Sequence, residues 1–246
     1  MSGIACMVFT KERPLQLHAF LRSAERYAPY ESMEVNRHLA PQLFEEQTRT
    51  FLAKHERVVF HTDDDVFFRE AKMPPRWTFD GPPHSYRLGR NTRFQHPTQS
   101  QQDVPPLLHD YQRIWHWRWR EADGDFGYPL CLNATVYRSA DLLPLLDFHF
   151  DNPTSLEAQL AAKADEFAPE WMTAPLHSCC VSIPYNRVTI GSQNPISDDP
   201  RWTASALKEL WDAGYRLDID KMDFSNVIGA HQVIEPKFLP CLACRS

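Results

Sequence analysis

An apolar run that leads into three consecutive carboxylates is the feature that most constrains this chain. Residues 58–60, Val-Val-Phe, are followed after a two-residue gap by Asp63-Asp64-Asp65. β-Branched and aromatic residues in such a run predict a strand that is buried on both faces. The triplet then lies at the C-terminal end of this strand, which is the edge where open α/β sheets bind their ligands.

The acidic triplet also predicts a metal site. Adjacent carboxylates repel one another, and removing them from water is costly, but a divalent cation relieves both penalties. Oxygen ligands favour Mg²⁺ or Mn²⁺, which commonly fill their remaining positions with substrate phosphate oxygens. In an extended backbone Asp63 and Asp65 project to one side and Asp64 to the other, so we expect Asp63 and Asp65 to face the metal. A solvated acidic turn is the alternative.

The first 70 residues have the pattern of a parallel α/β sheet. Residues 4–9 form a short apolar run, and Pro14 suits the first turn of a helix that ends near Tyr27. Residues 33–35 predict a short second strand, and apolar residues spaced between 44 and 55 predict a second helix before the acidic strand. This β-α-β-α-β order is typical of a parallel sheet covered by helices.

Length, composition and charge exclude several classes of protein. A length of 246 residues suits one α/β domain or two small lobes, and 43% apolar residues suffice for a large core. The net charge of -6 argues against a nucleic-acid partner. No apolar run approaches the roughly 20 residues that span a bilayer, which leaves only peripheral membrane contact open. The N-terminus lacks signal-peptide features, and the cysteines are scattered, so we expect a cytoplasmic protein.

Four polar side chains near strand ends are candidates for binding a nucleotide or a sugar. Thr10 and Arg13 follow the first strand, although helix capping and a surface arginine explain them equally well. Arg87 and Asn91 close a strand-like segment at residues 85–91, and the arginine fork suits phosphate.

The second half of the chain is less regular. Residues 107, 108, 111, 114, 115 and 118, apolar apart from Arg118, have helical spacing, and Trp115, Trp117 and Trp119 lie among them as core residues or as stacking platforms for sugar rings. Residues 130–137 predict a strand, after which Ser139 can cap a helix.

A further helix is predicted to open at residues 152–157. There Thr154-x-x-Glu157 fits a capping box, which competes with a catalytic role for Glu157.

These features together resemble a known class of enzymes. Thr10-x-x-Arg13-Pro14 after the first strand, the acidic triplet after the second helix and the late His231 resemble the nucleotide-sugar-dependent glycosyltransferases of the GT-A fold, whose metal-binding signature is Asp-x-Asp. The segments YRLGRN (86–91), YPL (128–130) and NPTSLE (152–157) are further similar to a group of small bacterial glycosyltransferases. The resemblance covers most of the chain.

The resemblance implies a fold and a reaction. The fold would be α/β, a single Rossmann-like GT-A domain over residues 1–246 with a mixed, mainly parallel sheet flanked by helices. Residues up to about 100 would bind the nucleotide sugar, and residues from about 101 onward would bind a glycan or glycoconjugate acceptor. The enzyme would move a sugar from a nucleotide-sugar donor to that acceptor with Mn²⁺ or Mg²⁺ as cofactor.

The resemblance also implies roles for individual residues. Asp63 and Asp65 would hold the metal, with His231 as a third ligand. Glu157 would be the catalytic base of an inverting enzyme, and Asp125 would contact the donor sugar or the acceptor. The expected nucleotide-sugar contacts are Thr10, Arg13, Asp64, Arg87 and Asn91.

Two departures from the pattern leave other functions open. Residues 27–33 leave little room for a full second strand, and residues 132–135, Leu-Asn-Ala-Thr, replace a Gly-containing acceptor loop. The alternatives are a metal-dependent phosphohydrolase or nucleotidyltransferase that uses the same aspartates, a non-catalytic glycan-binding module built on Trp115, Trp117 and Trp119, and an inactive member of the enzyme class.

Overall fold

A computed structural model of the chain describes residues 3–37, 40–72, 81–106, 114–188 and 195–241. Within these ranges, the α-helices are α1 Pro14–Tyr27, α2 Pro41–Lys54, α3 Ser139–Leu142, α4 Pro153–Ala162 and α5 Ala204–Asp212. The strands are β1 Ile4–Phe9, β2 Tyr30–Asn36, β3 Arg57–Thr62, β4 Asp65–Phe67, β5 His84–Ser85, β6 Phe94–Gln95, β7 Ser100–Gln101, β8 Ile114–Arg118, β9 Thr135–Arg138, β10 Trp171–Pro175, β11 Cys180–Ser182, β12 Tyr215–Leu217 and β13 Phe238–Pro240.

Seven of these strands form one mixed sheet in the order β2-β1-β3-β9-β5-β10-β8. β1 runs parallel to β2 and β3, and β5 runs parallel to β10. β9 is antiparallel to both β3 and β5, and β8 is antiparallel to β10. The α/β class is therefore confirmed. The sheet is not mainly parallel, however, because parallel and antiparallel pairings are equal in number.

Strand β1, which lies between β2 and β3, is buried on both faces, as its apolar composition requires. Ala5, Met7 and Phe9 pack in one core cluster with α2, and the alternating residues of β1 pack in another cluster with α1. Helices therefore cover the two faces of the parallel half of the sheet.

The first helices and the acidic strand confirm the sequence prediction, but the second strand does not. α1 and α2 lie where the apolar spacing places them, and β3 contains the Val-Val-Phe run. β2 is a full seven-residue strand, Tyr30–Asn36, whereas we expected a short strand with little room before it. β2 is an edge strand with mostly exposed side chains, so it lacks the apolar run that marks a buried strand.

Residues 114–118 form strand β8 and not part of a helix. The other residues of the predicted helical stripe, Leu107, Leu108 and Tyr111, lie outside the described residues. Trp115 and Trp117 are fully buried and pack together against Phe126, with ring centroids 4.9 Å apart. Trp119 is also buried. These rings belong to the core, so no sugar can stack on them. The alternative of a glycan-binding module built on these three tryptophans is therefore wrong.

Two predicted helix starts also differ in detail. Ser139 is the first residue of α3 and makes no cap; its hydroxyl donates to the carbonyl of His55. The cap of α4 is Asn152, whose side chain accepts from Ser155 N at 2.9 Å, while Ser155 Oγ accepts from Asn152 N at 3.2 Å. Thr154 and Glu157 therefore form no capping box. The predicted strand at 130–137 begins only at Thr135.

The parallel pairing brings two strand ends together. Phe9 and Thr62, the last residues of β1 and β3, are direct neighbours in the sheet. The loops that follow them, which hold Thr10, Arg13 and the acidic triplet, consequently leave the sheet side by side. Among the helices of the described residues, none has the length and apolar character needed to cross a bilayer.

Candidate active site

A cavity of about 440 Å³ opens at the C-terminal ends of β1 and β3. Seven of the ten site residues predicted from the sequence line it. They are Thr10, Arg13, Asp64, Arg87, Asp125, Glu157 and His231. Asp63, Asp65 and Asn91 are not part of the lining.

The acidic triplet points its members in alternate directions, but in the sense opposite to the one expected. Asp63 and Asp65 have no solvent exposure, and Asp64 is the carboxylate that faces the cavity. Asp64 accepts from Thr62 Oγ1 at 2.6 Å and from Arg13 Nη1 at 3.4 Å. Its side chain is 15% exposed, so ligands in the cavity can reach it.

Asp63 is held inside the protein by the two residues that follow β1. It forms an ion pair with Arg13 and accepts from Thr10 Oγ1 at 2.6 Å. Burial raises the pKa of Asp63 to about 6, while Arg13 acts in the opposite direction. Burial lowers the pKa of Arg13, but Asp63 and Asp64 outweigh that effect and hold it above its usual value. Thr10 and Arg13 thus brace the acidic loop as well as lining the cavity.

Asp65 is the centre of a buried hydrogen-bond network. It lies 2.6 Å from His61 Nδ1 and accepts from Ser182 Oγ at 2.5 Å and from Asn133 Nδ2 at 3.2 Å. The far nitrogen of His61, Nε2, is 2.6 Å from the Tyr30 hydroxyl. Burial acts to raise the pKa of Asp65, but hydrogen bonding and charge from His61 and the other partners lower it below its ordinary value.

The cluster of His61, Asp65 and Cys180 has the ligand types of a transition-metal site. Their ligand atoms lie within 4.8 Å of one another and are buried. However, both ring nitrogens of His61 are already bonded, one to Tyr30 and the other to Asp65. The cluster is therefore explained by its hydrogen bonds without a cation.

Arg87 places a buried positive charge on the cavity wall. It is 3% exposed, and no carboxylate lies within 4 Å of its guanidinium in the described part of the chain. Its partners are Cys131 Sγ, 2.6 Å from Nη2, and the ring of His231, 3.2 Å from Nη1. Its Nε has no hydrogen-bond partner among the described residues. Such a cation suits an anionic ligand, because an unpaired buried charge is costly.

His231 stands beside Arg87 as a neutral base. Burial and the nearby guanidinium lower the pKa of His231 well below its ordinary value. The imidazole therefore accepts from Arg87, and a second imidazole, His96, lies with its ring centroid 5.8 Å away. A metal bound to His231 would lie close to the guanidinium charge, so the predicted role as a third metal ligand does not suit this arrangement.

Two carboxylic acids complete the lining. Glu157 accepts from Leu132 N at 3.1 Å, and Asp125 accepts from Gln102 Nε2 at 3.1 Å. Burial raises the pKa of both groups above their usual values. Since Asn152 and Ser155 cap α4, Glu157 is not needed for capping and is available for chemistry in the cavity.

Asn91 does not reach the cavity. Its amide donates to Ser178 Oγ and to the carbonyl of Val227, both at 2.8 Å, and its carbonyl accepts from Ser178 N. Asn91 is therefore a bridge between three chain segments, and this arrangement does not support its predicted contact with a nucleotide sugar in the main cavity.

Several residues that line the cavity were not identified from the sequence. Asn133 donates to Thr62 Oγ1 at 2.6 Å and to Asp65, so it joins the ends of β3 and of the acidic loop. An asparagine inside an apolar, strand-like segment is unusual, and this was the available signal. Cys131 and His96 carried no such signal, because cysteine is a common core residue and His96 lies in a polar loop.

No protein-family profile matches this chain, and no curated protein matches it either.

Proposed function

We propose that this chain is a glycosyltransferase of the GT-A type that moves a sugar from a nucleotide-sugar donor to a glycan or glycoconjugate acceptor. One observation carries the proposal. A cavity at the C-terminal ends of two parallel strands combines a buried arginine, Arg87, with a carboxylic acid of raised pKa, Glu157. These are the two groups that the reaction needs, one for the departing diphosphate and one for the acceptor proton.

The donor would lie against the cationic part of the lining. Lys11, Arg13 and Arg87 all line the cavity, and Arg87 has no carboxylate partner within 4 Å in the described ranges. A diphosphate would satisfy this buried guanidinium through charge-assisted hydrogen bonds. As the glycosidic bond breaks, its electron pair moves to the diphosphate oxygen, and Arg87 stabilises the charge that develops there.

The acceptor would be activated by Glu157. The acceptor hydroxyl oxygen forms the new bond to the anomeric carbon, and its proton passes to the carboxylate of Glu157. The backbone N–H of Leu132 orients this carboxylate. Asp125, held by Gln102, is placed to accept hydrogen bonds from sugar hydroxyls. This assignment is that of an inverting enzyme.

A divalent cation, Mn²⁺ or Mg²⁺, stays a prediction. Each carboxylate oxygen of Asp63 and Asp65 already has a protein partner, and neither side chain reaches the cavity. The predicted pair does not fit a cation as arranged, and no step of the proposed mechanism depends on one. Asp64 is the member of the triplet that faces the cavity. If the affinity for Mn²⁺, measured by titration, is the same in the wild type and in Asp64→Asn, the prediction of a cation in this cavity is wrong.

The test is a thermal-shift panel of UDP-, GDP-, dTDP- and CMP-sugars with and without Mn²⁺, followed by mass spectrometry of the products. We expect sugar nucleotides of one base to raise the melting temperature, since ligands that bind only the folded state stabilise it. Products should contain a sugar joined to the acceptor. A cleaved phosphate without transfer would favour a phosphohydrolase, and no stabilisation by any member of the panel would contradict the proposal.

A further inference from the structure

A second cleft, of about 420 Å³, lies behind one wall of the main cavity. Its lining includes Arg90, Arg93, His177, Ser225 and Asn226. The wall consists of two chain segments that meet at a bridge between Phe94 and Gly229. Arg93 and Ile228 border the second cleft, whereas His96 and His231, farther along the same segments, line the main cavity.

The floor of the second cleft is held rigidly by bonds between distant segments. Asn91 ties Ser178 to the carbonyl of Val227, and Arg93 N donates to the carbonyl of Ile228 at 2.7 Å. Gln232 donates to the carbonyl of Asn226 and accepts from Ile228 N, both at 2.9 Å. The side chains above this floor therefore start from fixed backbone positions, which reduces the entropy lost when a ligand binds.

The same floor leaves no room for a side chain at Gly89. A Cβ there would lie 2.4 Å from Ser178 N and 2.7 Å from Asn91 Oδ1. The glycine thus allows Asn91 and Ser178 to approach closely, and their contact shapes the cleft.

Among the described residues, the lining of the second cleft offers hydrogen-bond donors and no carboxylate; Asp223, beside it, accepts from Ser225 N at 2.9 Å. Neither guanidinium, Arg90 nor Arg93, has an acidic partner within 4 Å in the ranges that the structure describes. The terminal nitrogens of both groups also lack hydrogen-bond acceptors there, since only Arg93 Nε donates, to the carbonyl of Arg90. His177, Ser225 and Asn226 add further exposed donor groups. In a protein with a net charge of -6, this concentration of positive charge selects an anion.

We infer that the second cleft is a binding site for a phosphate group, separate from the main cavity. Two guanidinium forks bind the paired oxygens of a phosphate, and His177 and Ser225 donate to the remaining ones. The phosphate belongs either to a small soluble ester or to the headgroup of an anionic lipid, and both present the same oxyanion. The phosphate site is inferred independently of the proposed glycosyltransferase activity.

The first experiment is a TROSY NMR titration of the whole protein with inorganic phosphate at low ionic strength. We expect saturable shifts of the Ser225, Asn226 and Ile228 amides. The double variant Arg90→Gln/Arg93→Gln should weaken this binding roughly tenfold or more, which corresponds to the loss of charge-assisted hydrogen bonds. The matched control is Arg22→Gln/Arg26→Gln, which removes the same charge from two exposed arginines that already pair with Glu25 and Asp220.

A second arm identifies the source of the phosphate. Flotation with phosphatidylcholine vesicles, with and without phosphatidylglycerol, is compared for the wild type and both double variants. Binding to the anionic vesicles that only Arg90→Gln/Arg93→Gln loses assigns the site to a lipid headgroup, and NMR saturation without vesicle binding assigns it to a soluble ester. Shifts that do not saturate, or that are equally reduced in both double variants, would overturn the inference.

Discussion

Asp65 joins three separate parts of the chain through one carboxylate. It binds His61 at the end of β3, Ser182 in β11 and Asn133 before β9, and all four residues are buried. A buried carboxylate with this many partners contributes to folding whether or not it has a catalytic role, because each donor would otherwise lose its hydrogen bond to water without replacement. Asp64, next to it, has the opposite character: it is partly exposed and faces the cavity.

We therefore expect Asp65→Ala to lower the free energy of unfolding by about 3 kcal/mol or more, since it leaves three buried donors unsatisfied. Asp64→Ala, the matched control, should cost about 1 kcal/mol while weakening ligand binding in the cavity. Urea denaturation followed by circular dichroism measures both changes. Equal costs for the two variants would show that the network around Asp65 does not stabilise the fold.

The same measurement at lower pH tests the origin of this stability. Because the folded protein lowers the pKa of Asp65, its contribution is fully present above the unfolded value of about 4. It is lost as the pH falls through the lower folded value. The difference in unfolding free energy between wild type and Asp65→Ala should therefore narrow in acid. A difference that widens in acid would contradict the direction of this pKa shift.

Glu157 is expected to determine the pH dependence of sugar transfer. Only its ionised form can accept the acceptor proton, and burial raises its pKa. The rate should thus fall as the pH drops through a value above the usual glutamate pKa of about 4.3. Glu157→Gln should remove this limb of the pH profile and reduce kcat by roughly 10²- to 10⁴-fold, with donor KM little changed.

The matched control for Glu157 is Glu166→Gln, an exposed glutamate whose partner is the surface residue Lys163. It should retain both the rate and the pH profile. Full activity of Glu157→Gln in the same assay would show that another group, or a retaining mechanism without a base, performs the transfer.

Among the helices, α4 begins with residues of two kinds: some cap the helix, and others face the cavity. Asn152 and Ser155 satisfy each other's backbone N–H groups, while Thr154 and Glu157 line the cavity. We expect Asn152→Ala to destabilise the protein by about 1 kcal/mol, the usual cost of losing such a cap. Thr154→Ala should have a smaller effect on thermal unfolding. The reverse order would support the capping box that the sequence alone suggests.

Elements that are stabilised by their own residues could be predicted from the sequence. The apolar runs of β1 and β3 and the spacing within α1 and α2 are local signals of burial, and the structure confirms all four elements. β8 was missed because its pattern fits two periods. Trp115 and Trp117 alternate along a strand, yet their neighbours at 114 and 118 also match a helix. Pairing with β10, more than 50 residues later, decides between the two, and no local pattern contains that information.

The candidate site shows the same limit. Thr10, Arg13 and Asp64 follow strand ends, so their place on the cavity could be predicted from the order of elements. The roles within the triplet could not be, because Asp65 is bound by Ser182 and Asn133, which are 117 and 68 residues away along the chain. Asn91 illustrates this as well. Its partners, Ser178 and Val227, are 87 and 136 residues away along the chain.

At the scale of the whole molecule, the cavity is assembled from both halves of the chain. Thr10, Arg13 and Asp64 come from the first hundred residues, whereas Asp125 and Asn186 come from the second half. Arg13 also donates to the carbonyl of Asn186 at 3.4 Å, so the two halves are in contact at the rim. A division into a donor-binding half and an acceptor-binding half is therefore too simple for the lining, and nucleotide binding should affect both halves.

Hydrogen–deuterium exchange can map this assembly. On adding the nucleoside diphosphate that stabilises the protein most, we expect slower exchange at residues 10–13, 62–64 and 184–187, since ordering a loop suppresses its local opening. Helix α5, residues 204–212, lines neither cleft, so it should be unaffected at the same ligand concentration and serve as the internal control. Protection limited to residues 223–228, with none beside Thr10 or Asp64, would mean that the nucleotide binds outside the main cavity. Because the readout covers both clefts at once, it separates the ligand of the cavity from the ligand of the arginine pair.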